Sequence, residues 1–154
     1  MSTAPPSAEP DNEDAASLRA SQRLLEYAGR AALQMPELEV LEIWQTYTHE
    51  ESIFRYDALA EPGPTVTFLS RFDMEPMWTK EAQTAWEAAA QKHTDNQKSL
   101  VVKYDTLDPH PDHFHGTFYI YGTINKLKLR DLVIDPVSLY AATWEECSAT
   151  YITP

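Results

Sequence analysis

The densest set of metal-ligand side chains in this chain is Asp108-Pro109-His110-Pro111-Asp112-His113-Phe114-His115, with three imidazoles and two carboxylates. Three such ligands can hold a zinc ion and leave its fourth position open to water or substrate. The two prolines, however, stiffen the segment in extended form and splay the rings apart. No partner His or Cys pattern elsewhere completes a recognisable site. His110, His113 and His115 are the metal candidates, a solvated loop is the plainer expectation, and no cofactor is expected. A second constellation is Glu42, Trp44, Arg55, Asp57 and Arg71, which alternation puts on one face of neighbouring strands. Its plain reading is a set of cross-strand ion pairs on a wet surface, each contributing about 0.2–1 kcal/mol. Its functional reading is a binding surface formed by Trp44, Glu42, Arg55 and Arg71, since Trp and Arg most often dominate interface energetics.

Acid–base chemistry has candidates as well. Tyr27, Tyr47, Tyr56, Tyr104, Tyr119 and Tyr121 supply hydroxyls, and His49, His93 or His115 could move a proton beside an apolar ligand held between helices and sheet. Nothing in their spacing demands it, because tyrosines on strands commonly serve as core and rim residues. The single Cys147 excludes an intramolecular disulfide, and no nucleophile signature surrounds it. With four glycines there is no phosphate-binding loop, no dinucleotide fingerprint and no Gly-x-Ser-x-Gly elbow.

The elements that must position these groups follow from periodicity. Residues 15–34 read as an amphipathic helix, with Leu18, Leu25, Ala28, Ala32 and Met35 on one face and Arg19, Arg23, Glu26 and Arg30 opposite. Pro36 marks its stop. The spacing of Met35, Leu38, Leu41 and Ile43 is that of a leucine-rich unit running from helix into strand. Strands are expected at 39–47 and 52–58, joined by His49-Glu50-Glu51 as a hairpin, and at 65–72 after the Glu61-Pro62-Gly63-Pro64 turn. A second helix is expected at about 77–93, with Pro76 in its first turn, and a fourth strand at 99–105. Residues 106–116 read as a loop, and the segment up to Leu129 is ambiguous between strand and turn. Residues 131–135 read as extended, and a last helix is expected from Val137 to about Cys147. These elements predict an α+β two-layer sandwich: an antiparallel sheet of four or five strands with two main helices on one face. Leu41, Ile43, Phe54, Tyr56, Val66, Phe68 and Phe72 should lie beneath the helices.

The 154 residues and four tryptophans suffice for one core, so a single domain is expected over 15–154. Residues 1–14, rich in Pro, Ser and acidic groups, read as a disordered acidic tail without signal-peptide character. A formal charge of −12, from 24 acids against 12 bases, repels phosphate backbones and anionic lipid. Nucleic acid and membrane are therefore not expected as partners; a protein or a small apolar ligand is. No apolar stretch has the length of a membrane span, and the lone cysteine fits a reducing compartment, so the cytoplasm or nucleus is expected.

Several segments together resemble a domain of unknown function found at the C-terminus of filamentous-fungal proteins, behind F-box-like and leucine-rich-repeat-like regions. They are Ala28-Gly29-Arg30-Ala31-Ala32, the run from Met35 to Trp44, Phe54-Arg55-Tyr56, Trp86 to His93, His115-Gly116, and Asp135 to Leu139. The resemblance spans about residues 20–145 and implies no established reaction. Two departures matter. The chain is too short to hold an F-box as well, and Phe118-Tyr119-Ile120-Tyr121 stands where such relatives continue from His-Gly with Ile-His-His. The function expected is non-catalytic recognition through an open sheet face and the His-rich loop. The alternative is a small tailoring enzyme, of isomerase or cyclase type, acting on an apolar metabolite in a fungal biosynthetic pathway.

Overall fold

The computed structural model describes residues 11–47, 50–94, 98–107 and 126–133. Helix α1 (Asp11–Ala32) is followed by strands β1 (Val40–Tyr47), β2 (Glu50–Asp57) and β3 (Thr65–Ser70). A short 3-10 turn (Glu75–Met77), helix α2 (Lys80–His93), strand β4 (Val101–Thr106) and the one-turn helix α3 (Arg130–Val133) complete the order. The chain is α+β, and its order is α-β-β-β-α-β with a short helix after it. That short helix stands where an extended segment was expected over 131–135; the helix expected from Val137 to Cys147 lies outside the described residues.

Helix α1 starts at Asp11, inside the stretch expected to be a tail. Asp14 falls in its first turn, where negative charge complements the helix dipole. After Ala32 the chain tightens through bonds from Gln34 N to Ala31 O and from Met35 N to Ala32 O, and Pro36 blocks continuation. Met35 is consequently swung off the buried face and is 48% exposed, contrary to expectation. Helix α2 begins three residues later than expected, at Lys80, because Thr79 caps it by accepting from Ala82 N at 3.2 Å. Pro76 belongs to the preceding 3-10 turn.

Among the described residues the sheet has four strands in the order β1-β2-β3-β4. The pairs β1–β2 and β2–β3 are antiparallel, with Trp44 opposite Ile53 and Phe54 opposite Phe68. The leucine-rich run from Met35 thus enters a paired strand, as its spacing predicts. In contrast, β4 runs parallel to β3, with Val66 opposite Val102. The sheet is mixed rather than antiparallel throughout. The cause is α2, which carries the chain back along the sheet so that the next strand starts from the same end as β3.

Leu41, Ile43, Phe54, Tyr56, Val66 and Phe68 face the helices and, with Trp86, Leu25 and Ala32, make the core. Trp86 is fully buried against Tyr56 (centroids 4.9 Å apart) and Phe54 (5.0 Å). Its indole Nε1 donates to Leu25 O at 2.9 Å and so ties α2 to α1. The two helices approach closely at Gly29, where a Cβ would stand 2.9 Å from Ala85 Cβ.

Candidate functional site

The face of the sheet turned away from the core is not bare. Glu42 and Arg55 are cross-strand neighbours on it, and Arg55 Nε donates to Glu42 Oε1 at 2.6 Å. The same carboxylate accepts from Lys128 N (2.9 Å, to Oε1) and Leu129 N (2.8 Å, to Oε2). Arg55 Nη2 donates to Lys126 O, and Lys128 Nζ lies 2.5 Å from Asp57 Oδ2. A strap of chain at 126–129 is thereby clasped onto β1 and β2, with Leu127 buried beneath it. Of the four binding candidates, Glu42 and Arg55 are committed to this clasp. Glu42 keeps only 5% of its side chain exposed, so neither residue presents a free charge to a partner.

Trp44 lies further along the same face, 37% exposed, in the cross-strand row formed with Ile53, Leu69 and Asp105. The next row holds Glu51, which is only 7% exposed and whose Oε1 has no hydrogen-bond partner among the described residues. Burial pushes its carboxyl up to about 7, with the Arg71 guanidinium opposing the shift. The sequence expectation puts Glu51 in the hairpin turn. Extending the alternation of β2 back from Ile53 would have put it on this face.

The acid–base candidates resolve differently. Tyr56 OH lies 2.8 Å from His93 Nδ1, and His93 Nε2 lies 3.0 Å from Met35 O. A carbonyl can only accept, so Nε2 carries the proton, Nδ1 accepts, and the tyrosine hydroxyl donates. The three groups tie β2, the end of α2 and the turn after α1 together. Tyr56 is fully buried, and burial, with the Asp57 carboxylate beside it, pushes its hydroxyl up to about 12. It stays a donor at neutral pH. A hollow between the layers, bordered by Leu25, Ile43, Phe54 and Met77, measures about 10 Å³, at most the space of one water.

Open space occurs at the carboxyl ends of the parallel pair β3–β4, the location where sheets with crossover helices commonly bind ligands. There a cleft of about 290 Å³ is lined by Phe68, Arg71, Asp73, Tyr104 and Asp105. Phe68 and Tyr104 are register partners, and their rings stack at 5.2 Å and 8°. Tyr104 is nevertheless 47% exposed. Its hydroxyl is raised by burial first, then by the Glu75 and Asp73 carboxylates. The rim loop is fixed locally: Ser70 Oγ accepts from Phe72 N at 3.1 Å and Asp73 Oδ1 from Glu75 N at 2.9 Å. The structure therefore places Arg71 in the cleft, Trp44 on the second face, and Glu42 with Arg55 under the strap. The cleft was missed because Tyr104 and Asp73 belong to different segments whose parallel pairing had not been read.

His110, His113, His115, His49, Tyr119, Tyr121 and Cys147 lie outside the described residues. Among the described residues no group of three or more His, Cys, Asp or Glu could hold a metal ion, and no helix is long and apolar enough to cross a membrane. Neither the curated proteins nor the solved structures yield a match. The family comparison does: residues 8–135 fit the model of DUF6546, a family of unknown function, and the chain belongs to that family.

Proposed function

We propose that this chain is a non-catalytic recognition module that binds a protein partner at the cleft ending β3 and β4. One observation carries the reading: among the described residues the hollow between Leu25, Ile43, Phe54 and Met77 holds only about 10 Å³, whereas the cleft at the strand ends is open and carries an exposed aromatic ring among charges. A site for an apolar metabolite is expected to be a largely apolar cavity of roughly 300–1,000 Å³. The interlayer space described is far smaller, and the proton-transfer candidates Tyr56 and His93 are spent on each other. The tailoring-enzyme reading therefore gains no observation. Trp44, exposed on the outer face of β1 at the opposite end of the strand order, is a separate exposed aromatic. The segment resemblance supports a further part of the proposal: a filamentous-fungal setting, the company of F-box-like or leucine-rich-repeat-like regions, and action in the cytoplasm or nucleus.

The test uses a photoreactive phenylalanine analogue placed at Tyr104, with Leu24 on α1 as an exposed control. In a fungal extract, position 104 should give a discrete adduct that unlabelled wild-type chain competes away and Asp105→Lys chain does not. Equal labelling from both positions, or equal competition by both chains, would overturn the reading.

A further inference from the structure

We infer that the partner segment taken by this cleft is an extended peptide bearing a lysine or arginine, laid along the outer edge of β4 with its cation over Tyr104. The inference rests on the recognition reading and specifies the chemistry of the partner.

Three features of the site point to it. The first is the edge itself. Strand β4 ends the sheet order, pairing with β3 on one side, and among the described residues nothing pairs with its other side. Lys103, Tyr104, Asp105 and Thr106 are all exposed, so both faces of the strand reach solvent, not just alternate side chains. An edge of this kind offers a row of backbone donors and acceptors that an extended peptide can extend by one strand.

The second feature is the ring. One face of Tyr104 is stacked on Phe68, and 47% of the residue stays exposed. An exposed tyrosine ring held flat by a neighbour is a platform for an ammonium or guanidinium group.

The third is charge. Beside the ring stand Asp73 and Glu75, and Asp105 joins Asp73 in lining the cleft, where Arg71 is the basic residue. Asp73 and Glu75 are close enough to act on the tyrosine hydroxyl. The whole chain carries the same sign, with 24 acids against 12 bases. An acidic or phosphorylated peptide would meet like charge here. A basic one finds carboxylates on the rim, a π face beneath, and a long-range field that draws it in.

The experiment uses the full chain and a short fluorescein-labelled peptide of alternating threonine and valine with one central arginine. Matched peptides carry citrulline or glutamate in its place, and binding is read by anisotropy. The arginine peptide should bind about fivefold or more tightly than the citrulline peptide, which has the same shape without the charge. Added salt should narrow that gap. Asp73→Asn keeps the oxygen that accepts from Glu75 N, and Asp105→Asn changes an exposed side chain, so both variants should fold and both should narrow the gap. Tyr104→Leu should weaken the arginine peptide about threefold more than the citrulline peptide. Equal binding of arginine and citrulline peptides, accompanied by amide protection along β4, would overturn the basic partner while leaving the cleft as a docking site. Preference for the glutamate peptide would do the same. Absence of binding by all three would overturn the inference, and the photo-adduct at position 104 would then decide the recognition reading separately.

Discussion

Replacing Glu42 by Gln isolates the clasp. The carboxylate accepts three hydrogen bonds, from Arg55 Nε at 2.6 Å, Lys128 N at 2.9 Å and Leu129 N at 2.8 Å. It does so with 5% of its side chain exposed. Glutamine keeps a single carbonyl oxygen. If that oxygen takes the Oε1 position, the amide NH2 faces the Leu129 N–H, one bond is lost and a backbone donor is left without an acceptor. That costs about 1–3 kcal/mol, and the bond to Arg55 also loses its charge assistance. The reverse orientation loses two bonds instead of one. Either way the closed strap should lose about 2–3 kcal/mol, which is roughly 30- to 150-fold in its opening equilibrium. Hydrogen exchange at the Lys128 and Leu129 amides measures this directly, since both donate to the buried carboxylate. Their exchange should accelerate by that factor in Glu42→Gln, while amides in the middle of α2 change far less. If these two amides exchange at the wild-type rate in the variant, the clasp does not hold the strap.

Three further outcomes are expected. Glu51 titrates at about 7 in the folded chain against an ordinary value of 4.5, so the native state binds the proton more tightly than the unfolded chain between those values. Its unfavourable contribution is absent below about pH 4.5, grows as pH rises and is complete above about 7, reaching at most about 3 kcal/mol. Glu51→Gln should therefore flatten the fall in urea midpoint between pH 4.5 and 8; an unchanged slope would contradict the burial argument. Gly29→Ala puts a Cβ 2.9 Å from Ala85 Cβ and 3.1 Å from the Trp86 ring. Overpacking of about 1–3 kcal/mol, against a helix gain of about 1 kcal/mol, should lower the melting temperature. Combining it with Ala85→Gly should show a favourable coupling in a double-mutant cycle. Tyr56→Phe leaves His93 Nδ1 without its donor and should cost about 1–2 kcal/mol by urea denaturation, with His93→Ala adding less on top of it than alone.

What the sequence made legible was what neighbouring residues decide. The stripe of Leu25 and Ala32, the alternation through Ile43 and Phe54, and the passage from the Met35 run into β1 all depend on spacing within a few residues, and the structure repeats them. The direction of β4 depends on where α2 delivers the chain. The helix between two strand segments was itself readable, but the hairpins before it had set an antiparallel expectation. The clasp was not legible: Glu42 meets Leu129 across 87 residues, and an acid and a base on neighbouring strands look the same whether wet or covered. Glu51 escaped because two acids at the head of a strand read as turn chemistry. The cleft needed the β3–β4 pairing before Phe68, Asp73 and Tyr104 could be seen as neighbours.

The strap also imposes an order on biosynthesis. By the time Leu107 has emerged from the ribosome, both long helices and every strand of the described sheet have been made, yet Lys126 to Leu129 are still to come. A nascent or clipped chain at that stage holds a carboxylate and a guanidinium prepared for a backbone that has not arrived, beside an unroofed apolar flank. This strap, made after every strand of the described sheet, thus acts as a late seal, and shortened products lacking it should be the ones that quality control removes.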